Sequence, residues 1–322
     1  MKIGIMGAGH IAEKMAYTIQ HMEDATGYAI AARDLERAQI FAEKFEIQKA
    51  YGSYEALVQD PEVELIYIAT PHSHHYDCMK LCLTHQKPVL CEKAFTANAA
   101  QAKEILELSK KMGVFVAEAI WTRYMPSRYI IEEAIAAGKI GKVNFVTANL
   151  GYDIKDVPRL TDPALAGGAL LDVGVYTLNF IAMVLGTKVR HMQSCCVKTE
   201  TGVDAMNAIT LEYENGTLAM AHSGMLSATE QAGIVYGTKG YLIAENINNV
   251  NRVCIYDNAR NLVESIQMPP QITGFEDEVR ASMQAIKAGK IECTQMPHTE
   301  ILCMMEWMDS LRAAWGIKYP FE

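Results

Sequence analysis

Up to about residue 118 the sequence alternates short apolar runs with longer segments of helical periodicity, and this restricts the fold more than any other feature. Such alternation is typical of βαβ units, whose strands form a parallel sheet with helices on both faces. The apolar runs are continuous, as expected for strands covered on both faces. We therefore predict a doubly wound α/β domain over residues 1–120. Its predicted strands are 2–6, 28–32, 64–69, 88–91 and 114–117, and its predicted helices are 11–22, 35–45, 74–85 and 98–111.

After about Arg123 the pattern changes to longer runs in which apolar and polar residues alternate. Such runs are typical of antiparallel strands with one buried and one solvated face. Asn215 and Gly216 lie between two of these runs and predict a tight hairpin, because both residues tolerate a positive φ. We predict a second α/β domain, residues 121–322, with a mostly antiparallel sheet and with C-terminal helices that can pack back on the first domain. Its predicted strands are 143–150, 189–199, 207–213, 217–223, 234–236, 241–244, 253–256 and 262–267, and its helices are 170–185, 276–288 and 299–315.

The chain is acidic, since 29 Lys and Arg against 38 Asp and Glu give a formal net charge of −9. It lacks the basic surface of a nucleic-acid-binding protein and the polybasic clusters that attract anionic membranes. The longest apolar segment, residues 164–186, contains Asp172 and Asn179, which favours a buried helix over a membrane span. The eight cysteines form no CxxC pair, and no signal-peptide pattern precedes the first strand. We therefore expect a cytoplasmic protein with reduced thiols and with neither nucleic acid nor a membrane as partner.

Residues 7–12 read Gly-Ala-Gly-His-Ile-Ala directly after the first predicted strand and fit the GxGxxA pattern. In that pattern Gly7 permits a tight turn, Gly9 lets the backbone approach a pyrophosphate, and Ala12 permits close packing of the helix on the strand. The first helical residues, His10 and Ile11, contribute N–H groups at the positive end of the helix dipole. This strand–turn–helix context predicts dinucleotide binding, and a purely structural glycine-rich turn is the alternative.

The second predicted strand ends at residues 31–34, Ala-Ala-Arg-Asp, where a dinucleotide-binding domain reads the adenosine ribose. A carboxylate there favours NAD through the free 2′-hydroxyl, and an arginine favours NADP through the 2′-phosphate. Arg33 carries a guanidinium suited to phosphate, whereas Asp34 is placed to cap the following helix. We predict NADP. The alternative is that Arg33 is a solvated surface charge and that Asp34 binds the ribose of NAD.

Three polar segments follow apolar strands of the first domain, at the edge where open α/β sheets bind ligands. The domain boundary near Ile120 is abrupt, and the cleft between the domains is the expected site for a small-molecule ligand. The histidines of the first segment lack the HExxH pattern or Cys pairs of a zinc site, so we expect no metal and assign them to capping and cofactor contact. The segments contain Thr70, Pro71, His72 and His75; Glu92 and Lys93; and Trp121 and Arg123.

Lys93 and two residues of the second domain are candidates for acid–base chemistry. A lysine desolvated in a cleft can act as an acid or base, and a solvated Glu92–Lys93 surface pair is the alternative. Asp172 and Tyr176 are four residues apart, so on a helix they share one face. If that face looks onto Lys93, the ammonium favours a phenolate at Tyr176, which can take a hydroxyl proton as hydride leaves the carbon. The alternative is two hydrogen-bonded polar groups in the core.

Together these residues resemble the Gfo/Idh/MocA family, named after glucose–fructose oxidoreductase and inositol dehydrogenase, and the resemblance extends over essentially the whole chain. Within the family the chain is most similar to the branch of dimeric dihydrodiol dehydrogenases, also known as NADP-dependent D-xylose dehydrogenases. The similarity rests on the order and spacing of AARDLERA, KAYGSYE, LCEK, EAIWTR, GGALLDVGVY, ETGVD and GTKG.

The resemblance implies a Rossmann domain followed by an α/β domain with a large open antiparallel sheet, whose outer face forms a homodimer contact. It implies that Lys93 is the catalytic lysine, that Tyr176 is the acid or base, and that Asp172 belongs to the substrate or proton network. The implied activity is hydride transfer between NADP and a secondary alcohol or hemiacetal of a sugar-like or trans-dihydrodiol substrate. The residues that it places near the cofactor are Thr70, Pro71, His75, Trp121 and Arg123.

One residue departs from the family pattern. Ala94 replaces the proline of the family's Glu-Lys-Pro motif, in which a cis peptide bond often follows the lysine. The Lys93–Ala94 bond is therefore either trans or held cis by its surroundings. A catalytically weak dinucleotide-binding sensor or regulator is the alternative function. Ala94 favours that alternative, whereas the retained Lys93, Asp172 and Tyr176 favour an enzyme.

Overall fold

A computed structural model describes the whole chain, residues 1–322. The chain divides into two compact units. The first comprises Met1–Trp121 and Gln271–Met305, and the second comprises Thr122–Pro270 and Glu306–Glu322. Part of the C-terminal region is thus a component of the first unit and not of a continuous second domain over 121–322.

The two units contain fourteen strands and ten α-helices. The strands are β1 (Lys2–Met6), β2 (Thr26–Ala31), β3 (Lys49–Tyr51), β4 (Leu65–Ile68), β5 (Val89–Glu92), β6 (Val116–Ala119), β7 (Val143–Gly151), β8 (Val189–Lys198), β9 (Asp204–Tyr213), β10 (Leu218–Gly224), β11 (Gly233–Gly237), β12 (Gly240–Glu245), β13 (Arg252–Asp257) and β14 (Leu262–Gln267). The helices are α1 (His10–Gln20), α2 (Leu35–Lys44), α3 (Tyr54–Gln59), α4 (His72–Thr84), α5 (Ala99–Met112), α6 (Pro126–Ala136), α7 (Pro158–Thr161), α8 (Val175–Leu185), α9 (Glu276–Lys287) and α10 (His298–Ala314).

The first unit is built on a six-stranded sheet in the order β3-β2-β1-β4-β5-β6, in which every neighbouring pair is parallel. The strand order reverses beside β1, so the carboxyl end of β1 lies at the switch point where open α/β sheets bind ligands. The predicted doubly wound α/β fold is confirmed. Neither β3 nor α3 was predicted, because a three-residue strand and a six-residue helix carry too little periodicity.

Burial and capping explain why these segments form these elements. The last four residues of β1 and all residues of β4, β5 and β6 are buried, as expected for strands covered on both faces. At the start of α5, Asn98 Oδ1 accepts a hydrogen bond of 3.0 Å from the backbone N–H of Gln101. At its end, Gly113 adopts a φ of 68°, the left-handed conformation that terminates many helices.

The second unit contains an eight-stranded sheet in the order β14-β13-β12-β11-β7-β10-β9-β8. All neighbouring pairs are antiparallel except β7 and β10, which are parallel. The prediction of a large, mostly antiparallel sheet is therefore confirmed. The hairpin at Asn215 and Gly216 is also confirmed, because β9 and β10 pair across it and Gly216 has a φ of 81°.

The most apolar segment of the chain, Pro163–Leu185, packs on this sheet through contacts of α8 with β7 and β10. By length and composition alone it could cross a membrane, but 78% of its most apolar window is buried. Such burial is typical of the core helix of a globular unit. The predicted single helix over 170–185 is wrong in one respect, because Leu170–Gly174 form a π-helical turn before α8 begins at Val175.

Candidate active site

The phosphate loop (residues 7–12) connects β1 to α1. Gly7 has a φ of 104°, and a Cβ atom there would lie 2.8 Å from the carbonyl oxygen of Ala69, so a glycine is required by both conformation and space. Gly9 precedes α1 in an extended conformation, and a Cβ atom there would meet no other atom within 4 Å. No side chain caps the helix at this end. The first N–H groups of α1 therefore face an open space that suits a phosphate.

The residues after Gly9 also lie as the GxGxxA pattern predicts. His10 and Ile11 form the first positions of α1, with His10 exposed and Ile11 half-buried. Ala12 is fully buried, which is consistent with close packing of α1 on the strands beneath it. The loop thus has the features that the GxGxxA pattern requires for a pyrophosphate: a positive φ at Gly7, space beside Gly9 and an uncapped helix start.

The end of β2 separates the roles of the two residues predicted to read the ribose. Asp34 Oδ1 accepts a hydrogen bond of 2.9 Å from Glu36 N and caps α2, so its predicted capping role is confirmed. Arg33, the preceding residue, is exposed. The carboxylate is thus engaged by the helix, whereas Arg33 is accessible to solvent.

A second arginine lies beside the phosphate loop and was missed by sequence reasoning. Arg37, in the first turn of α2, donates from Nη2 to the carbonyl oxygen of Ala8 over 2.7 Å. Burial raises the pKa of the Tyr54 hydroxyl, and the positive charges of Arg33 and Arg37 oppose this shift. Both guanidinium groups therefore act on the hydroxyl of one residue, Tyr54, at the start of α3. The only sign of Arg37 in the sequence was that it follows Arg33 by four residues.

The histidines that follow β4 connect backbone segments, and they belong to no group of three or more His, Cys, Asp or Glu side chains arranged to hold a metal ion. His75 is fully buried, with Nδ1 2.9 Å from the carbonyl oxygen of Ala94 and Nε2 2.8 Å from that of Thr70. Burial lowers the pKa of His75 to about 4, so the ring is neutral near pH 7. Pro71 precedes α4 in an extended conformation, and the buried ring of His72 lies edge-on to that of His75.

The Lys93 loop (residues 92–95) follows β5 and contains a cis peptide bond between Lys93 and Ala94, which answers the question left open by the missing proline. Glu92 is buried and accepts hydrogen bonds from the Tyr67 hydroxyl and, over 3.2 Å, from the backbone N–H of Lys93. The Lys93 side chain is half-buried. The exposed surface pair considered for Glu92 and Lys93 is therefore wrong, because the carboxyl belongs to the interior.

Trp121 and Arg123 are separated by the division between the units. In the first unit, the ring of Trp121 stacks on that of Phe275, with centroids 4.4 Å apart and planes inclined by 12°. In the second unit, Arg123 is 1% exposed and donates from Nε to Asn179 Oδ1 over 2.7 Å. Phe275 was not predicted, because nothing near it in the sequence marks it as part of a site.

Asp172 and Tyr176 lie in the second unit, in the π-helical turn and in the first turn of α8 respectively. Asp172 is buried and accepts a hydrogen bond of 2.9 Å from Nη1 of Arg159, whose side chain is half-exposed. Tyr176 is 9% exposed. A Cβ atom on Gly174 would lie 2.8 Å from Ser223 Oγ, so this glycine lets the turn approach β10 closely. Arg159 was missed, because no motif contains it.

A buried carboxyl, that of Asp204, accepts a hydrogen bond from the first residue of the π-helical turn. Asp204 Oδ2 accepts hydrogen bonds from the backbone N–H of Leu170 over 2.8 Å and from Asn207 Nδ2 over 2.9 Å. Burial raises the pKa of Asp204 to about 6. Asp204 is the first residue of β9, so the position of the turn that contains Asp172 depends on a buried carboxyl of the sheet.

The structure brings the predicted residues together in two groups. In the first unit the phosphate loop, the segment after β4 and the Lys93 loop lie at one edge of the parallel sheet, joined by Gly7, Ala69, Thr70, His75 and Ala94. In the second unit Asp172 and Tyr176 lie on one buried segment. That Lys93 acts together with Tyr176 stays a prediction.

A doubly wound parallel sheet with an uncapped helix at a GxGxxA loop defines a dinucleotide-binding domain of the Rossmann type. The family model described as an oxidoreductase family with an NAD-binding Rossmann fold, Gfo/Idh/MocA, matches residues 1–119. The Gfo/Idh/MocA C-terminal domain matches residues 130–243. The chain belongs to the Gfo/Idh/MocA family and is an NAD(P)-binding oxidoreductase.

Relatives similar over the full length support this assignment. The chain is 41% identical over 336 residues to a trans-1,2-dihydrobenzene-1,2-diol dehydrogenase of Bos taurus, covering 99% of the chain and 98% of the relative. It is 33% identical over 333 residues to the Mus musculus protein of that name, with the same coverage. The human protein of that name is 32% identical over 344 residues, again covering 99% and 98%.

Solved structures show the same fold at lower identity. A 3-ketoreductase from Actinomadura kijaniata in complex with NADP and TDP-benzene matches with a TM-score of 0.89 and 22% identity, over 97% of each chain. Levoglucosan dehydrogenase in complex with NADH matches with a TM-score of 0.87 and 14% identity, over 98% of this chain and 97% of the other. Since one neighbour holds NADP and the other NADH, the fold alone does not decide the cofactor.

The two glycines of the phosphate loop should respond differently to an added methyl group. We expect Gly7→Ala to lower the free energy of unfolding by about 1–3 kcal/mol, because its φ is positive and its Cβ would collide with backbone. Gly9→Ala should cost less than about 1 kcal/mol, yet weaken NAD(P)H binding by about tenfold or more, because its methyl group enters the space that suits the phosphate. Urea unfolding and fluorescence titration measure these effects. Equal stability losses, or unchanged NAD(P)H affinity of Gly9→Ala, would contradict this assignment.

Proposed function

We propose that this protein is an NADP-dependent dehydrogenase that acts on a secondary alcohol or hemiacetal of a small cyclic substrate, a trans-dihydrodiol or a sugar. The observation that carries the proposal is the full-length similarity to trans-1,2-dihydrobenzene-1,2-diol dehydrogenases. The retained Lys93, Asp172 and Tyr176 support it, because a protein that only sensed the dinucleotide would have little use for a proton-transfer set. Both substrate classes present vicinal hydroxyl groups, which one such set can serve.

NADP rather than NAD is supported by the charges at the end of β2. Arg33 and Arg37 place two guanidinium groups near Tyr54, and Arg37 also contacts the phosphate loop through Ala8. Guanidinium groups bind phosphate through paired N–H donors. The carboxyl that would favour NAD, Asp34, is engaged as a helix cap. We therefore assign Arg33 and Arg37 to the 2′-phosphate.

The nicotinamide, when bound, accepts or donates the hydride. We assign the hydroxyl proton of the substrate to Tyr176 Oη, and the stabilising positive charge to Lys93 Nζ, since an ammonium favours the phenolate form of a tyrosine. Asp172, held by Arg159, accepts a hydrogen bond from the substrate and orients its hydroxyl group. Trp121 and Phe275 supply a flat apolar surface on which a ring can lie.

The activity is tested by following nicotinamide absorbance with NADP⁺ or NAD⁺ and a panel of aldoses, inositols and trans-dihydrodiols. Reduction of NADP⁺ by one of these classes is the expected result. If no substrate of the panel reduces NADP⁺ or NAD⁺ while NADPH still binds tightly by fluorescence, the proposed dehydrogenase activity is overturned and a sensor is favoured.

Replacement of Tyr176 by Phe should remove the proton acceptor alone. We expect kcat to fall by about 100-fold or more in Tyr176→Phe, because general acid–base catalysis contributes about 10²–10⁴-fold. The affinity for NADPH should not change. Tyr213→Phe is the matched control, since Tyr213 is a buried tyrosine of the same unit whose hydroxyl donates to Gly186 O over 3.1 Å. A Tyr176→Phe enzyme with wild-type turnover would remove this residue from the mechanism.

Replacement of Arg33 by Gln should separate the two cofactors. We expect the Kd of NADPH to rise by about tenfold or more, because a charge-assisted hydrogen bond is worth about 1.5–3 kcal/mol. The Kd of NADH should stay the same. Lys44→Gln, which removes an exposed positive charge from the last turn of α2, is the control. Equal weakening of NADPH and NADH by Arg33→Gln would contradict the assignment to the 2′-phosphate.

We further propose that a second copy of the chain covers the outer face of the eight-stranded sheet. On this face Tyr256, Tyr241, Tyr236 and Phe145 lie opposite one another on successive strands, with ring centroids 5.0, 6.0 and 5.8 Å apart. The row continues on β10 at Leu218, which pairs with Phe145 and is 43% exposed; Met220, two residues further along the same face, is 50% exposed. A contiguous apolar surface of this kind is typical of protein interfaces.

A charge on this face should prevent self-association. We expect twice the mass of one chain for the wild type in light scattering, and a monomer for Met220→Asp, because the interface would bury an unpaired carboxylate. Ile40→Asp is the control, since Ile40 is 61% exposed on α2 of the first unit. A monomeric wild type, or a dimer that persists in Met220→Asp and is lost in Ile40→Asp, would contradict the proposed interface.

A further inference from the structure

Two buried carboxyls attach the Lys93 loop to the interior of the first unit. Glu92, at the end of β5, accepts the N–H of Lys93 over 3.2 Å as well as the Tyr67 hydroxyl. Glu118, on β6, accepts the N–H of Phe95 over 2.9 Å. Both side chains are buried. Each of these contacts uses the carboxyl as an acceptor, the role that suits its ionised form.

A third carboxyl, that of Glu278, is buried in the same region. Glu278 is the third residue of α9, its exposed fraction is zero, and neither of its carboxyl oxygens has a hydrogen-bond partner. The charged groups that act on it are Glu92 from β5, Glu118 from β6 and Asp277 from its own helix, all of them acidic. The nearest basic group on α9, Arg280, acts on Asp277. No positive charge compensates Glu278 directly.

A proton is the simplest way to neutralise this carboxyl. The structure contains no group of three or more His, Cys, Asp or Glu side chains arranged to hold a metal ion. Burial raises the pKa of Glu278, and the neighbouring carboxyls raise it further. The N-terminal end of α9 favours an anion, but this effect is smaller than the cost of burying a charge without a partner.

We propose that Glu278 is a positioning residue of the Lys93 loop: held as a neutral acid, it adds no negative charge beside Glu92 and Glu118, whose carboxyls accept hydrogen bonds from the backbone N–H groups of Lys93 and Phe95. Ionisation of Glu278 would place a negative charge beside these two carboxyls and loosen the loop. The inference rests on the proposed function only in treating Lys93 as the catalytic amine. Every contact that carries it lies in the first unit.

The protonation of Glu278 is tested by infrared difference spectroscopy. The spectrum of the wild type minus that of Glu278→Gln at pH 7 should show the carbonyl stretch of a protonated carboxylic acid, because the amide of Gln mimics the neutral acid in shape. Asp277→Asn is the control, since Asp277 lies in the same turn but is half-exposed; that variant should keep the band. Absence of the band from the wild type would overturn the proposal.

The positioning role is tested by amide hydrogen exchange of the peptide that covers residues 92–96, at equal pH in both proteins. At pH 7 the wild type and Glu278→Gln should exchange at the same rate. At alkaline pH, exchange in the wild type should become faster than in the variant by about tenfold or more, and only as the carboxylic acid band disappears. If the band persists, the loop should stay protected. Faster exchange while the band persists, or unchanged exchange after it is lost, would overturn the positioning role.

Kinetics and stability supply two further readouts. Glu278→Gln should keep the kcat of the wild type at pH 7 and should lose the alkaline limb of kcat/KM that Glu278 causes. A pKa that is raised in the folded state means that stability falls as pH rises from the ordinary pKa of a glutamate to the raised one, so the wild type should lose stability relative to Glu278→Gln over that range. A silent substrate panel would overturn the proposed function, whereas the infrared and exchange measurements would still decide the role of Glu278.

Discussion

The parallel pairing of β1 with β2 on one side and with β4 on the other is the constraint on which the rest of the candidate site depends. Because the three strands run in the same direction, their carboxyl ends share one edge, and the loops that follow them lie side by side. The ladder continues into those loops, since Gly7 N donates to Ala31 O over 2.9 Å and Ala69 N donates to Met6 O over 2.8 Å. The shape of the phosphate loop is thus a consequence of strand register.

Buried polar groups then connect these loops to one another. The ring of His75 lies between the carbonyl oxygens of Thr70, in the loop after β4, and Ala94, in the Lys93 loop, and in its neutral form it donates a hydrogen bond to one of them. The carboxyls of Glu92 and Glu118 accept hydrogen bonds from backbone N–H groups of the Lys93 loop. In the second unit Asp204 holds the turn that carries Asp172 in the same manner. In both units a buried carboxyl that accepts backbone N–H groups positions a segment to which we assign the chemistry.

Local signals in the sequence were sufficient for most of the framework. The continuous apolar runs identified the parallel strands, Asn215 and Gly216 identified a hairpin, and Asp34 was recognised as a helix cap. Gly7 and Gly9 were assigned from their place between a strand and a helix. Arg37, Arg159, Phe275 and Glu278 were missed, because each acquires its role from a side chain or backbone group outside its own sequence motif.

The sequence by itself determined the two kinds of sheet, the glycine turn and the helix cap, because each depends on burial periodicity or on contacts within a few residues. Only the tertiary structure decided that Gln271–Met305 belongs to the first unit, that Glu92 lies inside and that Glu278 joins it there. Those outcomes depend on which distant segments cover one another. The free energy of a buried charge depends on these neighbours in space. They cannot be predicted from the spacing of residues along the chain.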